Sequence, residues 1–280
     1  MFVLFFFLPS LMVSAQRVEY LKEDSVRIER LLKQAVERRG SEERMLYFGR
    51  QFLNVPYVAH TLELGTEEHL IVNTRALDCT TFVETCAALS ICDAQQQCSF
   101  RDFCNNLQRL RYRGGHITDY TSRLHYFTQW GEDNSNMQLV ESVLEKTHFS
   151  GFATQKVDIH YMSKHPNSYK QLRLHPSLVS VISRQERELK GRTYPYLPKS
   201  KLNLPSAQIG FIHTGDIVAI ITSKDGLDTS HIGVAVWQDG RLHLMHASNL
   251  YKKVVLDKKT FYDYSQGQPS QLGIRVFRLR

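Results

Sequence analysis

The chain has 280 residues, and its 35 Lys and Arg against 28 Asp and Glu leave a net charge of +7. With 42% hydrophobic and 22% charged residues and no repeat or low-complexity tract, the composition excludes disordered, collagen-like and coiled-coil chains. The length suits one or two domains with an enzyme-sized core.

Met1 to Ala15 is an uncharged, largely apolar run, shorter than the roughly 20 residues a membrane-spanning helix needs. Val13-Ser14-Ala15 ends it with small side chains that a signal peptidase accepts, which predicts a secretory signal cleaved after Ala15. The mature chain, residues 16–280, is then expected in the periplasm or outside the cell as a single catalytic domain. The basic residue that usually precedes such a run is absent, and a buried N-terminal helix is the alternative. No cysteine directly follows the run to carry a lipid anchor, and no other segment is apolar enough to cross a membrane.

Asp24 to Arg39 places Ile28, Leu31, Leu32, Ala35 and Val36 at helical spacing and stops at Gly40, as an amphipathic helix does. A second helix is expected from Ser41 to Phe52. Asn54-Val-Pro-Tyr57 breaks the pattern, and His69-Leu-Ile-Val72 reads as a short extended piece. Asp78 is suited to cap a helix whose Phe82, Val83, Cys86, Ala87 and Leu89 form a broad buried face.

The five cysteines, Cys79, Cys86, Cys92, Cys98 and Cys104, lack the Cys-x-x-Cys spacing of a zinc site, and an odd number leaves at least one unpaired. An oxidising compartment would allow bridges among the last four, with the pairing open. Cys86 reads equally well as a small buried apolar residue.

From about Asp93 to Pro205 the pattern is mixed. Phe100 to Leu110, Ser122 to Trp130 and Ser177 to Lys190 read as helices, and Tyr194-Pro-Tyr-Leu-Pro198 as a loop. Asp216–Ile221, His231–Trp237, Leu242–His246, Lys253–Leu256 and Ile274–Phe277 then read as strands, with Gln238-Asp-Gly-Arg241 as a hairpin turn. The expected fold class is α+β, a helical N-terminal half docked on a C-terminal antiparallel sheet.

Cys79 stands in the first turn of its helix, where the dipole and unsatisfied amides favour a thiolate and can hold an oxyanion. The Gln238–Arg241 hairpin brings His231 and His246 onto neighbouring strands, as a base and its orienting partner would be. His243, three residues before His246, points to the other face by strand alternation, which also argues against a zinc cluster of the three histidines. Arg123, Tyr126 and Trp130 would share one face of the Ser122–Trp130 helix and could meet a ligand, though an aromatic stripe at this spacing is more often core. His160-Tyr-Met-Ser-Lys-His165 is read as a turn that packs Tyr161 and Met162. The positive charge suits an anionic partner but is nowhere dense enough for nucleic acid.

Asp78-Cys79-Thr-Thr-Phe-Val83 resembles the helix start of NlpC-type papain-like cell-wall hydrolases, Ser230-His231-Ile-Gly-Val-Ala-Val236 resembles their histidine strand, and His246-Ala-Ser248 their second histidine. Val55-Pro-Tyr57 and Gly215-Asp-Ile-Val218 are similar to two further segments of that superfamily. The resemblance implies Cys79 as nucleophile, His231 as base and then acid, His246 as orienter of the imidazole, and a Tyr57 hydroxyl facing the nucleophile. Thr80-Thr81 stands where the superfamily has Ser-Gly, and the Gly-Gly expected after Tyr57 is missing. Because 152 residues separate Cys79 from His231, residues of about 93–205 are implied to be an insertion between the nucleophile helix and the sheet.

Leu77-Asp-Cys-Thr-Thr-Phe-Val-Glu84, Arg123-Leu-His-Tyr-Phe127, Gly226-Leu-Asp-Thr-Ser-His231 and Leu242–Ser248 are similar to an enlarged branch, the N-acetylmuramoyl-L-alanine amidase-like proteins. This implies hydrolysis of the amide between muramic acid and L-Ala in muropeptides, with no cofactor, no metal and a monomeric chain. A γ-D-glutamyl-diaminopimelate endopeptidase with the same triad, a silent muropeptide-binding protein and an acyltransferase are the alternatives.

Overall fold

The computed structural model describes residues 17–37 and 43–280. The proposed signal segment, the helix stop at Gly40 and the helix start at Ser41 therefore lie outside the described residues. Strand β1 (Val18–Glu19) pairs in parallel with β2 (Leu70–Ile71), the extended piece expected near His69. Helix α1 (Lys22–Val36) buries Ile28, Leu31, Leu32 and Ala35, the stripe that its sequence spacing predicts. Its Asp24 is fully buried and accepts bonds from the Thr74 amide and hydroxyl at 2.8 and 2.7 Å, tying α1 to the bend that follows β2. Burial pushes that carboxyl up, but these donors outweigh it and hold Asp24 below the ordinary range.

Helices α2 (Arg44–Gln51), α3 (Cys79–Ala94) and α4 (Phe100–Arg111) complete the N-terminal layer. Helix α3 is apolar on nearly every side, with Phe82, Val83, Cys86, Ala87, Ala88 and Leu89 at zero exposure, so it forms the centre of the layer. All five cysteines are free thiols in this structure, and Cys86, Cys92 and Cys104 are buried.

Helix α5 (Phe127–Asn136) corrects the expected Ser122–Trp130 helix. Residues 123–126 run extended because Leu124 donates to the Arg111 carbonyl at 3.0 Å and Arg123 bridges Tyr112. The helix can begin only after Tyr126, where the Asp228 carboxylate takes the Thr128 amide at 2.6 Å.

Between α5 and the C-terminal strands lie β3 (Val140–Ser142), β4 (Ala153–Lys156), α6 (Tyr161–Lys164), α7 (Lys170–Leu174), α8 (Leu178–Leu189) and β5 (Thr193–Pro198). Tyr194–Pro198 is thus a strand and not the expected loop. It lies between β4 and the last strand of the chain, pairing Pro195 with Thr154 and Pro198 with Gly273. Met162, Leu172, Ile182 and Leu189 form a separate small core with Tyr126, which supports this segment independently of the main sheet.

A short helix α9 (Ser206–Ile209) leads into β6 (Ile217–Thr222), β7 (Thr229–Gln238), β8 (Arg241–Ser248) and β9 (Lys253–Leu256); α10 (Phe261–Gln266) and β10 (Gln271–Leu279) close the chain. The order is β4-β5-β10-β6-β7-β8-β9, with β3 also on β10, and the strands pair antiparallel. The β7–β8 turn is carried by Asp239 and Gly240 at φ 48° and 71°, the left-handed pair of a type I′ turn. Alternation gives the sheet two dry faces. Ile217, Ala219, Ile232, Val234, Met245 and Ala247 meet the helical layer, whereas Val218, Ile220, Ala235, Leu244 and Ile274 pack with Phe261 on the other side. The protein is therefore a mixed α+β fold on an antiparallel sheet. Among the described residues no helix is long and apolar enough to cross a membrane.

Candidate active site

Cys79 is the first residue of α3. The Asp78 side chain caps the helix, accepting from the Thr81 amide at 2.8 Å, and Thr81 returns a bond to the Asp78 amide through its hydroxyl at 2.9 Å. The amides of Cys79 and Thr80 precede that cap in the first turn, where the helix supplies no carbonyl partner. Pro56-Tyr57 pairs with the residue just before this turn: Leu77 donates to the Pro56 carbonyl at 3.0 Å and Val58 to the Leu77 carbonyl at 3.1 Å. Tyr57 consequently stands beside Cys79, and burial, then the neighbouring Cys79 and Asp78, push its phenol up to about 12.

The two histidines come from the hairpin. Gly233, two residues past His231 on β7, packs against His246: a Cβ there would stand 2.7 Å from Leu244 Cδ1 and 3.1 Å from His246 Cβ. The glycine thus lets β8 bring His246 against β7. The His231 Nε2 to His246 Nδ1 distance is 2.6 Å and the rings meet edge to face, 4.8 Å between centroids. His246 is 1% exposed, and its Nε2 lies 3.8 Å from Asp257 Oδ2, too long for a hydrogen bond but close enough to feel the carboxylate charge. Burial pushes Asp257 up, yet His246 and the Lys259 amide together hold it below the ordinary carboxylate range.

This order assigns the protons. An ionised Asp257 favours hydrogen on His246 Nε2, His246 Nδ1 then accepts from His231 Nε2, and His231 Nδ1 is left as the basic nitrogen. Asp257 went unanticipated because no local pattern marks it. Its signal lies in tertiary structure: the residue just after β9 folds behind the strand that carries His246, and its amide donates to the Leu244 carbonyl at 2.9 Å.

A lowered thiol pKa was expected from the helix start, and the structure gives the opposite direction. Burial, followed by the Asp78 charge, pushes the Cys79 thiol up to about 12 and outweighs the Ile232 and Thr80 amides that pull it down. The His231 imidazole is driven down to about 3, by burial first and by His246 second. The resting pair is a neutral thiol and a neutral imidazole.

Cys79 and His231 line one hollow of about 190 Å³ together with Leu124, His125, Phe127 and Trp130. His231 and Ser230 also line a second hollow of about 460 Å³, whose walls include His246, Lys224, Lys252, Tyr264 and Gln271. The two hollows share Ser230 and His231 on their walls and together flank the histidine as a cleft.

Arg123 and Tyr126 do not reach that cleft. Arg123 is 6% exposed and pairs with Glu63 at 2.8 Å and Glu68 at 3.3 Å; the Tyr126 hydroxyl donates to Glu186 at 2.7 Å. The cause is the extended run before α5, which turns Leu124 and His125 toward Cys79 in their place. His243 is elsewhere, with its Nδ1 on the Asp257 carbonyl at 3.0 Å. Among the described residues no group of three or more His, Cys, Asp or Glu is placed to hold a metal ion.

An α+β protein with a helix-start thiol and an imidazole on the wall of one hollow, that imidazole held by a second, buried one, has the parts for acyl transfer from an amide. The profile of the AmiA-like family, described as N-acetylmuramoyl-L-alanine amidase-like, matches residues 47–274. An N-acetylmuramoyl-L-alanine amidase from Bacteroides uniformis is 40% identical, superposes with a TM-score of 0.79, and the match covers 84% of this chain and 98% of that one. A Bacteroides fragilis protein, provisionally described as a xylanase, is 42% identical with a TM-score of 0.77 over 82% and 98% of the two chains. A Legionella pneumophila protein shares the fold at 20% identity, with a TM-score of 0.71 over 92% of this chain and 94% of that one. A comparison with curated proteins finds no match. The chain belongs to the AmiA-like, N-acetylmuramoyl-L-alanine amidase-like family.

Proposed function

We propose that this protein is an exported cysteine amidohydrolase that cleaves the bond between N-acetylmuramic acid and L-Ala in peptidoglycan fragments. The observation that carries the reading is the hollow shared by Cys79 and His231, with His231 held at 2.6 Å by the buried His246. Family membership supplies the substrate class, and the likeness of the Cys79, His231 and His246 motifs to NlpC-type papain-like hydrolases supports the same assignment.

In this mechanism His231 Nδ1 takes the Cys79 proton as the sulfur attacks the lactyl carbonyl. The first-turn amides of Cys79 and Thr80 receive the developing oxyanion, with the positive end of α3 behind them. Collapse breaks the C–N bond. His231 gives its proton to the departing L-Ala nitrogen, and a muramoyl thioester stays on Cys79. Water, deprotonated by His231, then displaces the thiolate, releases the muramic acid carboxylate and restores the thiol. His246 and Asp257 hold the imidazole in one tautomer throughout and stabilise the imidazolium that forms.

The description of the Bacteroides fragilis relative raises glycoside hydrolysis, which needs two carboxylates roughly 5–9.5 Å apart on the cleft walls. No Asp or Glu lines either hollow. Mass spectrometry of a disaccharide-tetrapeptide muropeptide incubated with the reduced protein, beside Cys79→Ala, tests the proposal. Release of intact tetrapeptide by the wild type alone is expected. L-Ala-D-Glu left on the sugar would assign the γ-D-glutamyl endopeptidase instead, and an unchanged ligand in both samples would assign a binding protein.

A further inference from the structure

The two hollows of the cleft differ in chemistry as well as in size. The smaller contains Cys79 and has a mixed, uncharged wall that includes Leu124, Phe127 and Trp130 with Thr80, His125 and Thr229. The larger contains His246 but not Cys79, and the charged side chains on its wall are two lysines. Lys224 comes from the β6–β7 connection and Lys252 from the β8–β9 connection, on either side of the histidine pair. Lys252 Nζ donates to the Asn249 side-chain oxygen at 2.7 Å, a neutral partner, and among the described residues neither lysine is paired with a carboxylate. In a chain with 28 carboxylates, a basin with two unneutralised ammonium groups and no Asp or Glu is set up for anions. A second observation is independent of charge. Gln271 lines the same basin at 1% exposure; its Nε2 is spent on Ser265 Oγ at 2.9 Å, and its Oε1 has no donor. A buried amide oxygen without a partner is costly unless a ligand N–H completes it.

We propose that the larger basin is the leaving-group subsite and that it selects an acidic peptide, its carboxylates on Lys224 and Lys252 and one of its N–H groups on Gln271 Oε1. The inference deepens the amidase reading and rests on it. The direction follows from the chemistry of the step. The acyl part becomes bonded to sulfur and must occupy the Cys79 hollow, whereas the departing amine is protonated by His231 and must leave on the side that His231 and His246 line. In a muropeptide the acyl side is the lactyl-sugar and the departing side is the stem peptide, whose free carboxylates lie on its D-glutamyl residue and beyond. The uncharged sugar thus meets the hollow that has no Lys, Arg, Asp or Glu on its wall, and the anionic peptide meets the lysines.

Two measurements separate this inference from the reading beneath it. In the first, calorimetry compares Cys79→Ala binding of the free tetrapeptide L-Ala-γ-D-Glu-diaminopimelate-D-Ala with its D-isoglutaminyl form, in which the D-Glu α-carboxylate is amidated. Removing that charge should weaken binding about ten- to a hundredfold, the range of a charge-assisted contact. Lys224→Ala and Lys252→Asn, exposed positions whose variants keep the fold (Asn tolerates the φ of 56° at residue 252), should each reduce the difference. Equal binding of the two peptides, or binding of neither, overturns the inference. In the second, the wild type acts on the matching muropeptides with products read by mass. Amidation should raise KM and leave kcat in place, with the tetrapeptide still released at its L-Ala end. Cleavage at another bond would overturn the amidase reading, and the calorimetric result would still stand as evidence on the subsite.

Discussion

Burial displaces Cys79 and His231 in opposite directions, the thiol up to about 12 and the imidazole down to about 3. Between those limits the pair shares one proton, and attack requires only that it move from sulfur to nitrogen. Raising the pH does not create a more reactive resting state, and lowering it does not block the base until the imidazole protonates. The expected kcat/KM is therefore level from about pH 5 to about pH 9, with no limb near the ordinary histidine value of about 6.5. A limb at that value in a pH-rate profile would show that His231 titrates as a solvated imidazole. Asp257 acts one step further back. Asp257→Asn keeps the shape and the acceptor for the Lys259 amide, bonded at 2.9 Å, but offers His246 Nε2 no negative charge. The tautomer that leaves His231 Nδ1 basic is then less favoured. We expect kcat to fall roughly 10- to 100-fold with KM and Tm little changed, the scale of loss seen when an outer-shell partner is removed. Steady-state kinetics at wild-type kcat would assign Asp257 a purely structural role.

At the scale of elements, the hairpin carries both histidines, and Gly233 sets how closely its strands approach. A methyl at Gly233 would fall 2.7 Å from Leu244 Cδ1 and 2.8 Å from the Met245 carbonyl, a backbone atom that cannot rotate away. Gly233→Ala should cost about 1–3 kcal/mol, measured by denaturant unfolding, and should shift His246 enough to lower kcat as well. Loss of stability with full kcat would mean that the hairpin relaxes without moving the pair. The same elements explain what the sequence made legible. Asp78 before an apolar helix, the Asp-Gly turn and the alternating strands are local patterns, so α3, β7 and β8 with Cys79, His231 and His246 could be read directly. Arg123 and Tyr126 were misplaced because helical spacing from 123 to 130 does not reveal that Asp228, 100 residues on, takes the Thr128 amide and delays the helix. Tyr194–Pro198 looked like a loop because its prolines mask a strand whose position is set by β4 and β10. Asp257 was invisible for the same reason: its role exists only once β9 lies beside β8.

For the molecule as a whole, these two imidazoles on the cleft wall make acid stability a readout of the site. His125 and His231 both line the Cys79 hollow, and burial holds each near 3, helped by the Arg123 charge at His125 and by His246 at His231. In the unfolded chain each binds a proton at about 6.5. Between about 6.5 and 3 the unfolded state carries more protons than the folded one, so the contribution of these histidines to stability falls as the pH drops through that window. Glu43, Glu68, Glu84 and Asp216 have carboxyls raised by burial and act with the opposite sign, gaining stability on acidification. The histidine effect is therefore isolated by difference. His125→Gln can keep the bond to the Tyr120 carbonyl, 2.8 Å from His125 Nε2, while removing the titration. Each pH unit in the window is worth at most about 1.4 kcal/mol for one histidine, and about 2–4 °C of Tm accompanies each kcal/mol in a domain of this size. Thermal melts at about pH 7 and about pH 5 should thus show a wild-type Tm that drops a few degrees further than that of the variant. Equal drops would mean that His125 is already charged or hydrated in the folded protein, and that the Cys79 hollow is wetter than its aromatic walls imply.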